Sequence, residues 1–244
     1  MQSSQRRRAG RLIIFIVFII LVTLLVYLQY KPSPNQNGEP FNGLPEEPSQ
    51  EERVKEAPPR VIPKTSPQDM VNLAEFIPEI KVELRYATPD NFTGAVIYDD
   101  DTAYLRRGTA EKLKAAQAEF AAHGYTIKVW DAYRPPAAQF KLWEKVPDAR
   151  FVINPHKDYS HHSRGTAVDV TLIDENGQEV IMPTGFDDFT ARADRDYSDL
   201  NPETAANARF LEEIMEKHGF NSIFYEWWHF IDSDKDKYPV YEPE

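Results

Sequence analysis

The run Leu12 to Leu28, LIIFIVFIILVTLLVYL, contains no charge, no glycine and no proline, and it restricts this chain more than any other feature. Extended through Gln29 and Tyr30 as a helix, it rises roughly 28 Å, about the thickness of a bilayer's hydrocarbon core. Arg6, Arg7, Arg8 and Arg11 precede it, and the first 31 residues hold no acid. Positive charge ahead of an apolar span keeps the short N-terminus in the cytoplasm and sends the rest across. A cleaved leader has an apolar region of only ~7 to 15 residues and a small-x-small cleavage site, whereas the sequence after this run is QYKPSPNQ. The expectation is a basic tail at 1–11 and an uncleaved signal anchor at 12–30, with Tyr27 and Tyr30 at the outer interface.

Residues 32–68 hold nine of the chain's 19 prolines and only six apolar residues. So little apolar surface does not offset chain entropy, so residues 31–68 read as a disordered, partly extended tether. The formal charge of -11 then divides into +5 for residues 1–31, -2 for residues 32–68 and -14 for residues 69–244. An acidic balance of this kind excludes non-specific nucleic-acid binding, which needs clustered Lys and Arg. The chain has no cysteine. That rules out disulfides, a thiol nucleophile, cysteine-ligated zinc, iron-sulfur clusters and a lipid anchor on cysteine.

Residues 69–244 are long enough for one domain with a substantial core. Thr109 reads as the N-cap of a helix through AEKLKAAQAEFAAH that ends before Gly124, and YTIKVWDA follows as a strand. Pro135 and Pro136 open a helix through Trp143. VDVTLI, the turn DENG and QEVIM read as a β-hairpin. A helix from Pro202 to His218 ends at Gly219, and SIFYEWWHFI follows as one apolar strand. Helices mixed with an antiparallel hairpin imply an α+β domain with a mixed or antiparallel sheet flanked by helices, not a doubly wound parallel sheet.

The six histidines separate by context. His123 and His218 each stand last before a glycine, where an imidazole meets the final helix carbonyls, so both read as structural caps. His156 lies in a polar loop, NPHKDYS. The others fall in SHHSRGTAVDVTL, which leads from His161 or His162 through Gly165 into a strand bearing Asp169, and in YEWWHF, where Glu226 and His229 stand among aromatics. A carboxylate and an imidazole in apolar company are costly to bury without compensation, and a metal ion compensates both. Two imidazoles and a carboxylate suit a catalytic zinc with an open fourth position, leaving Glu226 as the base. The competing reading is a metal-free hydrogen-bonded pair of Asp169 and His229.

Ser160, His162, Gly165, Ala167 and Asp169 form S-x-H-x-x-G-x-A-x-D, and Glu226, Trp228 and His229 form E-x-W-H. Together they resemble the zinc D-alanyl-D-alanine dipeptidases of VanX type and their D,D-carboxypeptidase relatives. RYATPDNFTG at 85–94, WDAYRP at 130–135 and MPTGFD at 182–187 are similar to further strings of the dipeptidase branch, so the likeness covers about Val71 to Tyr241. The resemblance implies one zinc ion per chain on His162, Asp169 and His229, with Glu226 as catalytic acid and base. It implies Arg134 as the group that stabilises the transition state, and Tyr86, Asp187 and Ser160 as substrate-binding residues. His161 and Pro183 depart from the pattern, standing where serine and glycine are expected. The membrane anchor departs too, because the resistance-associated members act in the cytoplasm.

The expected activity is hydrolysis of D-alanyl-D-alanine, or a similar small D,D-dipeptide, outside the cytoplasmic membrane in cell-wall peptide turnover. The alternatives are a D,D-carboxypeptidase acting on peptidoglycan stem peptides and a non-enzymatic, zinc-stabilised wall-binding module. The expected partners are the dipeptide and the membrane, the latter through the N-terminal helix.

Overall fold

The structure, a computed structural model, describes residues 65–241. Its elements are β1 (Met70–Asn72), α1 (Leu73–Phe76), β2 (Lys81–Val82), β3 (Tyr104–Arg106), α2 (Arg107–Ala122) and β4 (Thr126–Asp131). There follow α3 (Pro136–Lys145), β5 (Ala167–Ile173), α4 (Pro202–Lys217), β6 (Phe220–Ile223) and β7 (Glu226–Asp232). The basic tail, the signal anchor and the tether as far as residue 64 lie outside the described residues. Among the described residues no helix is long and apolar enough to cross a membrane. The chain is tied to the domain from Ser66 onward: the Gly108 N–H donates to the Pro67 carbonyl, and Gln68 Nε2 to the Lys237 carbonyl.

Five strands form one sheet in the order β2-β4-β5-β7-β6, in which only β2 and β4 run parallel, while β1 and β3 make a separate antiparallel ribbon. Opposed residues in a ladder point to the same face. Ile127 pairs with Leu172, Val129 with Val170, and Val168 with Phe230, so these apolar side chains share one face. Helices α2 and α4 pack on the sheet and on each other, contributing Leu113, Ala116, Phe120, Ala208, Leu211 and Met215 to the core. The result is one α+β domain with a mixed sheet flanked by helices, as expected.

Three local readings are corrected. SIFYEWWHFI is two strands, β6 and β7, folded at Phe224 and Tyr225, both largely exposed. No glycine, proline or asparagine marks that turn, and an unbroken apolar run carries no period from which to place it. QEVIM is not a strand. After the turn at Asp174–Gly177, Glu179 makes an isolated bridge to Ile173, and Val180 N–H donates to Leu172. The Glu179 carboxylate meets Lys128 at 2.7 Å, and Pro183 has no N–H to extend a ladder. Thr109 sits inside α2 rather than capping it, because its hydroxyl donates to the buried Asp232 carboxylate at 2.6 Å.

Phe120 is fully buried and meets Phe210 edge-on at 5.7 Å between α2 and α4. Phe120→Ala is expected to cost about 3 to 5 kcal/mol in urea unfolding through the lost burial and the cavity left behind.

Candidate active site

Two irregularities in the sheet gather the polar residues on the face away from α2 and α4. Val129 pairs with Val170, but Asp131 pairs with Asp169, so two steps on β4 match one on β5. A bulge of this kind flips every later residue to the other face, and it moves Asp131 to the side of Asp169. On the opposite flank Ser222 pairs with Phe230 while Ile223 pairs with Glu226. Strict alternation would turn Glu226 and His229 to opposite faces. The break in register instead brings Glu226 Oε2 to 3.9 Å from His229 Nδ1, and His229 is directly paired with Asp169.

His162 arrives from a loop. Ser160 Oγ accepts the His162 N–H at 3.2 Å, and one turn of 3-10 helix, His162–Arg164, ends on Gly165 at φ 70°. A Cβ at Gly165 would lie 3.0 Å from the Met70 side chain and 3.2 Å from the Arg106 nitrogen, so glycine is required there by conformation and by space. His162 Nδ1 donates to the Ala132 carbonyl at 2.7 Å, which fixes the tautomer because a carbonyl only accepts. Nε2 then faces Asp169 Oδ1 at 3.4 Å and His229 Nδ1 at 3.2 Å, and His229 Nδ1 lies 2.8 Å from Asp169 Oδ1.

With Nδ1 committed to Ala132, Nε2 is the His162 nitrogen left to hold a cation. The three edges of this donor triangle bracket the roughly 3.3 Å between ligands of a tetrahedral ion with bonds of ~2.0 to 2.1 Å. His162, Asp169 and His229 are all buried and form the one such set among the described residues, so the donors fit a divalent metal. His161 does not join them. Its Nδ1 is buried without a hydrogen-bond partner, and burial, with His229 and Lys235 nearby, lowers its pKa to about 4.

Burial alone would raise Asp169, but His162 and His229 outweigh it and hold the carboxyl well below its usual range. Burial raises Glu226 well above it, reinforced by the carboxylates of Asp169 and Asp187. Burial likewise raises Asp187, against the hydrogen bond that Tyr86 Oη donates to it at 2.8 Å. Asp187 also adopts φ 56°, a conformation that aspartate tolerates better than most residues. Its neighbour Asp188 instead accepts the Thr190 N–H. Burial opposes the charge on Arg134, yet Asp131 beside it raises the pKa, with Nη2 at 2.6 Å from Asp131 Oδ2 and Nη1 donating to Gln139 at 2.9 Å.

All eight residues expected from the sequence, namely Tyr86, Arg134, Ser160, His162, Asp169, Asp187, Glu226 and His229, line one cavity of about 250 Å³. The other histidines stay apart. His123 packs on Phe210, His218 bonds Glu119 at 2.7 Å, and His156 is exposed against Phe140. Sequence reasoning missed Asp131, which also accepts from Tyr98 Oη, although it stands in WDAYRP beside Arg134. It missed too the Phe151 and Phe189 rings that help to line the cavity.

A family model described as D-ala-D-ala dipeptidase matches residues 66–242. A D-alanyl-D-alanine dipeptidase of Escherichia coli is 36% identical over 172 residues, covering 70% of this chain and 89% of the relative. One of Enterococcus faecalis is 33% identical over 178 residues, covering 65% and 88%. Another, of Enterococcus faecium, is 32% identical over 187 residues, covering 68% and 92%.

His162→Ala, Asp169→Asn and His229→Ala are each expected to abolish stoichiometric metal retention, read by plasma mass spectrometry of the purified protein. His161→Ala is expected to keep it; loss there instead of at His162 would exchange the two histidines.

Proposed function

The chain belongs to the D-Ala-D-Ala dipeptidase family, a family of metallopeptidases, and on that premise we propose that it hydrolyses D-alanyl-D-alanine at a zinc site outside the cytoplasmic membrane. The observation that carries the reading is the cavity itself. It places a three-donor metal set, a carboxyl of raised pKa and a buried arginine together, in a space below the ~300 to 1,000 Å³ of ordinary ligand sites.

Zinc on His162, Asp169 and His229 would supply a Lewis acid for the scissile carbonyl and acidify water. Glu226, 3.9 Å from His229, takes the proton from the attacking water on its carboxylate and passes it to the leaving amine. Its raised pKa suits a group that must accept and release a proton within one turnover. Arg134 has three of its five N–H bonds committed to Asp131 and Gln139. The remaining hydrogens, one on each terminal nitrogen, serve the oxyanion as charge develops. Asp187, held by Tyr86, receives the substrate's ammonium group. Ser160, whose hydroxyl shapes the His162 turn, lies at the carboxylate end.

An ammonium closed against Asp187 leaves no room for a further residue, which favours a dipeptide over a stem peptide. Charge supports the same reading, since a domain of -14 repels anionic wall polymer and lipid more than it repels a small zwitterion. The extracytoplasmic location rests on the apolar run at 12–30 and the arginines before it. Wall-derived fragments are the substrates available there, with recovery of D-alanine as the outcome.

The purified protein should cleave D-Ala-D-Ala much faster than an acylated tripeptide ending in D-Ala-D-Ala, as resolved by mass spectrometry; the opposite preference makes it a carboxypeptidase. Glu226→Gln should retain zinc and lose about 10²- to 10⁴-fold in kcat, whereas equal inactivity of wild type and variant would indicate a binding module. A phosphatase that is active only outside the cytoplasm, fused after Glu244, should be active in cells. An inactive phosphatase with an intact fusion would overturn the location.

A further inference from the structure

Arg195 stands in the loop before α4, and its side chain is 6% exposed. Its Nε donates to the Ile223 carbonyl at 2.8 Å, and one nitrogen, Nη2, donates to the carbonyls of both Glu226 at 3.2 Å and His229 at 3.0 Å. Its backbone N–H donates to the Phe224 carbonyl at 2.9 Å. These four carbonyls belong to the stretch where the β6–β7 register breaks, so Arg195 supplies donors that a regular hairpin would draw from the facing strand.

The guanidinium is itself held from several sides. Glu212 of α4 lies 3.4 Å from Nη1, Tyr197 Oη accepts from Nη1 at 3.3 Å and donates to Glu212 at 3.0 Å, and the Phe230 ring lies 4.7 Å away. A planar, preorganised fork locked in this way fixes the spacing of the carbonyls it binds, which a flexible ammonium does not.

We propose that Arg195 is a positioning residue of the active site, holding Glu226 and His229 on one face through their backbone carbonyls. The proposal rests on the roles given to those two residues above. It assigns Arg195 two separable effects: metal affinity through His229, and proton transfer through Glu226. Arg195 touches neither substrate nor reacting atoms. It acts by keeping open the irregularity that turns a proton-transfer group and a ligand, three residues apart, the same way.

The test compares the full chain with Arg195→Lys and with Phe210→Ala, a substitution in the helix layer expected to lower Tm only. Melting temperature, zinc affinity by chelator competition, and kcat and KM on D-Ala-D-Ala are measured for each. Arg195→Lys should weaken zinc binding and lower kcat by about 10- to 100-fold each, with KM changed by less than about 3-fold. Phe210→Ala should leave zinc affinity and kcat at wild-type values. If Arg195→Lys does not fold, Arg195→Gln is measured against the same criteria. Zinc affinity and kcat both within about 3-fold of wild type, whatever the loss in Tm, would overturn the proposal. Because zinc binding is read without substrate, a wild type that binds zinc and leaves D-Ala-D-Ala uncut overturns the dipeptidase reading, while the affinity comparison still decides Arg195.

Discussion

The site depends on keeping Asp169 ionised in the middle of a sheet. It sits on β5 between β4 and β7 and is 3% exposed, where an unpaired carboxylate would neutralise itself by taking a proton. His229 meets it from the paired position on β7, and His162 meets it from a loop whose conformation depends on Gly165 and the Ala132 carbonyl. Each contact is also a constraint on geometry. The hydrogen bond to Ala132 commits Nδ1 of His162 and leaves Nε2 as the nitrogen turned to Asp169. The arrangement of these three donors therefore comes from one balance of charge and not from separate features of the sequence.

Around that centre the protein separates two carboxyl groups by environment. Asp169 is held low by two imidazoles, whereas Glu226, on the wall of the same cavity, is raised by burial and by Asp169 itself. Metal ligation wants the first state and proton transfer the second. Asp131 adds a third environment, bound to Arg134 and Tyr98, so that its charge holds a buried arginine at the cavity wall. With Asp187, four acids in one region would repel one another if left unpartnered. Asp169 and Asp131 instead have cationic or hydrogen-bonding partners, and Glu226 and Asp187 take the consequence as a raised proton affinity.

Much of this was legible in the chain, and the limits were physical. The helix at Pro202–Lys217 announced itself through Pro202 and Gly219, and the strand at Thr126–Asp131 through its apolar residues, because local propensity and tertiary fold agree there. The turn at Phe224–Tyr225 left no mark, since its carbonyls are satisfied by Arg195 from 28 residues upstream in the case of Ile223 and not by local turn chemistry. Thr109 was misplaced because a hydroxyl suited to capping has a stronger partner in Asp232, 123 positions away. Of the site residues, those in short strings were readable. Arg195 was not, since its importance lies in backbone carbonyls that any sequence would offer.

Residue types and spacing alone determined that any metal site here must be made of imidazole and carboxylate, because there is no cysteine, and that the acidic excess lies in residues 69–244. They also fixed which residues have the chemistry, and resemblance in short motifs reduced His161 and His162 to one. Facing was decided only by the tertiary structure. Asp131 belongs to the site because β4 carries a bulge, and Glu226 joins His229 because the β6–β7 register breaks. A one-residue change in strand pairing exchanges the two faces of a sheet, and it costs so little local geometry that no propensity in the chain reveals it. Long-range partners such as Ala132 and Arg195 hold the chosen register, so the site's final arrangement is a property of the folded domain.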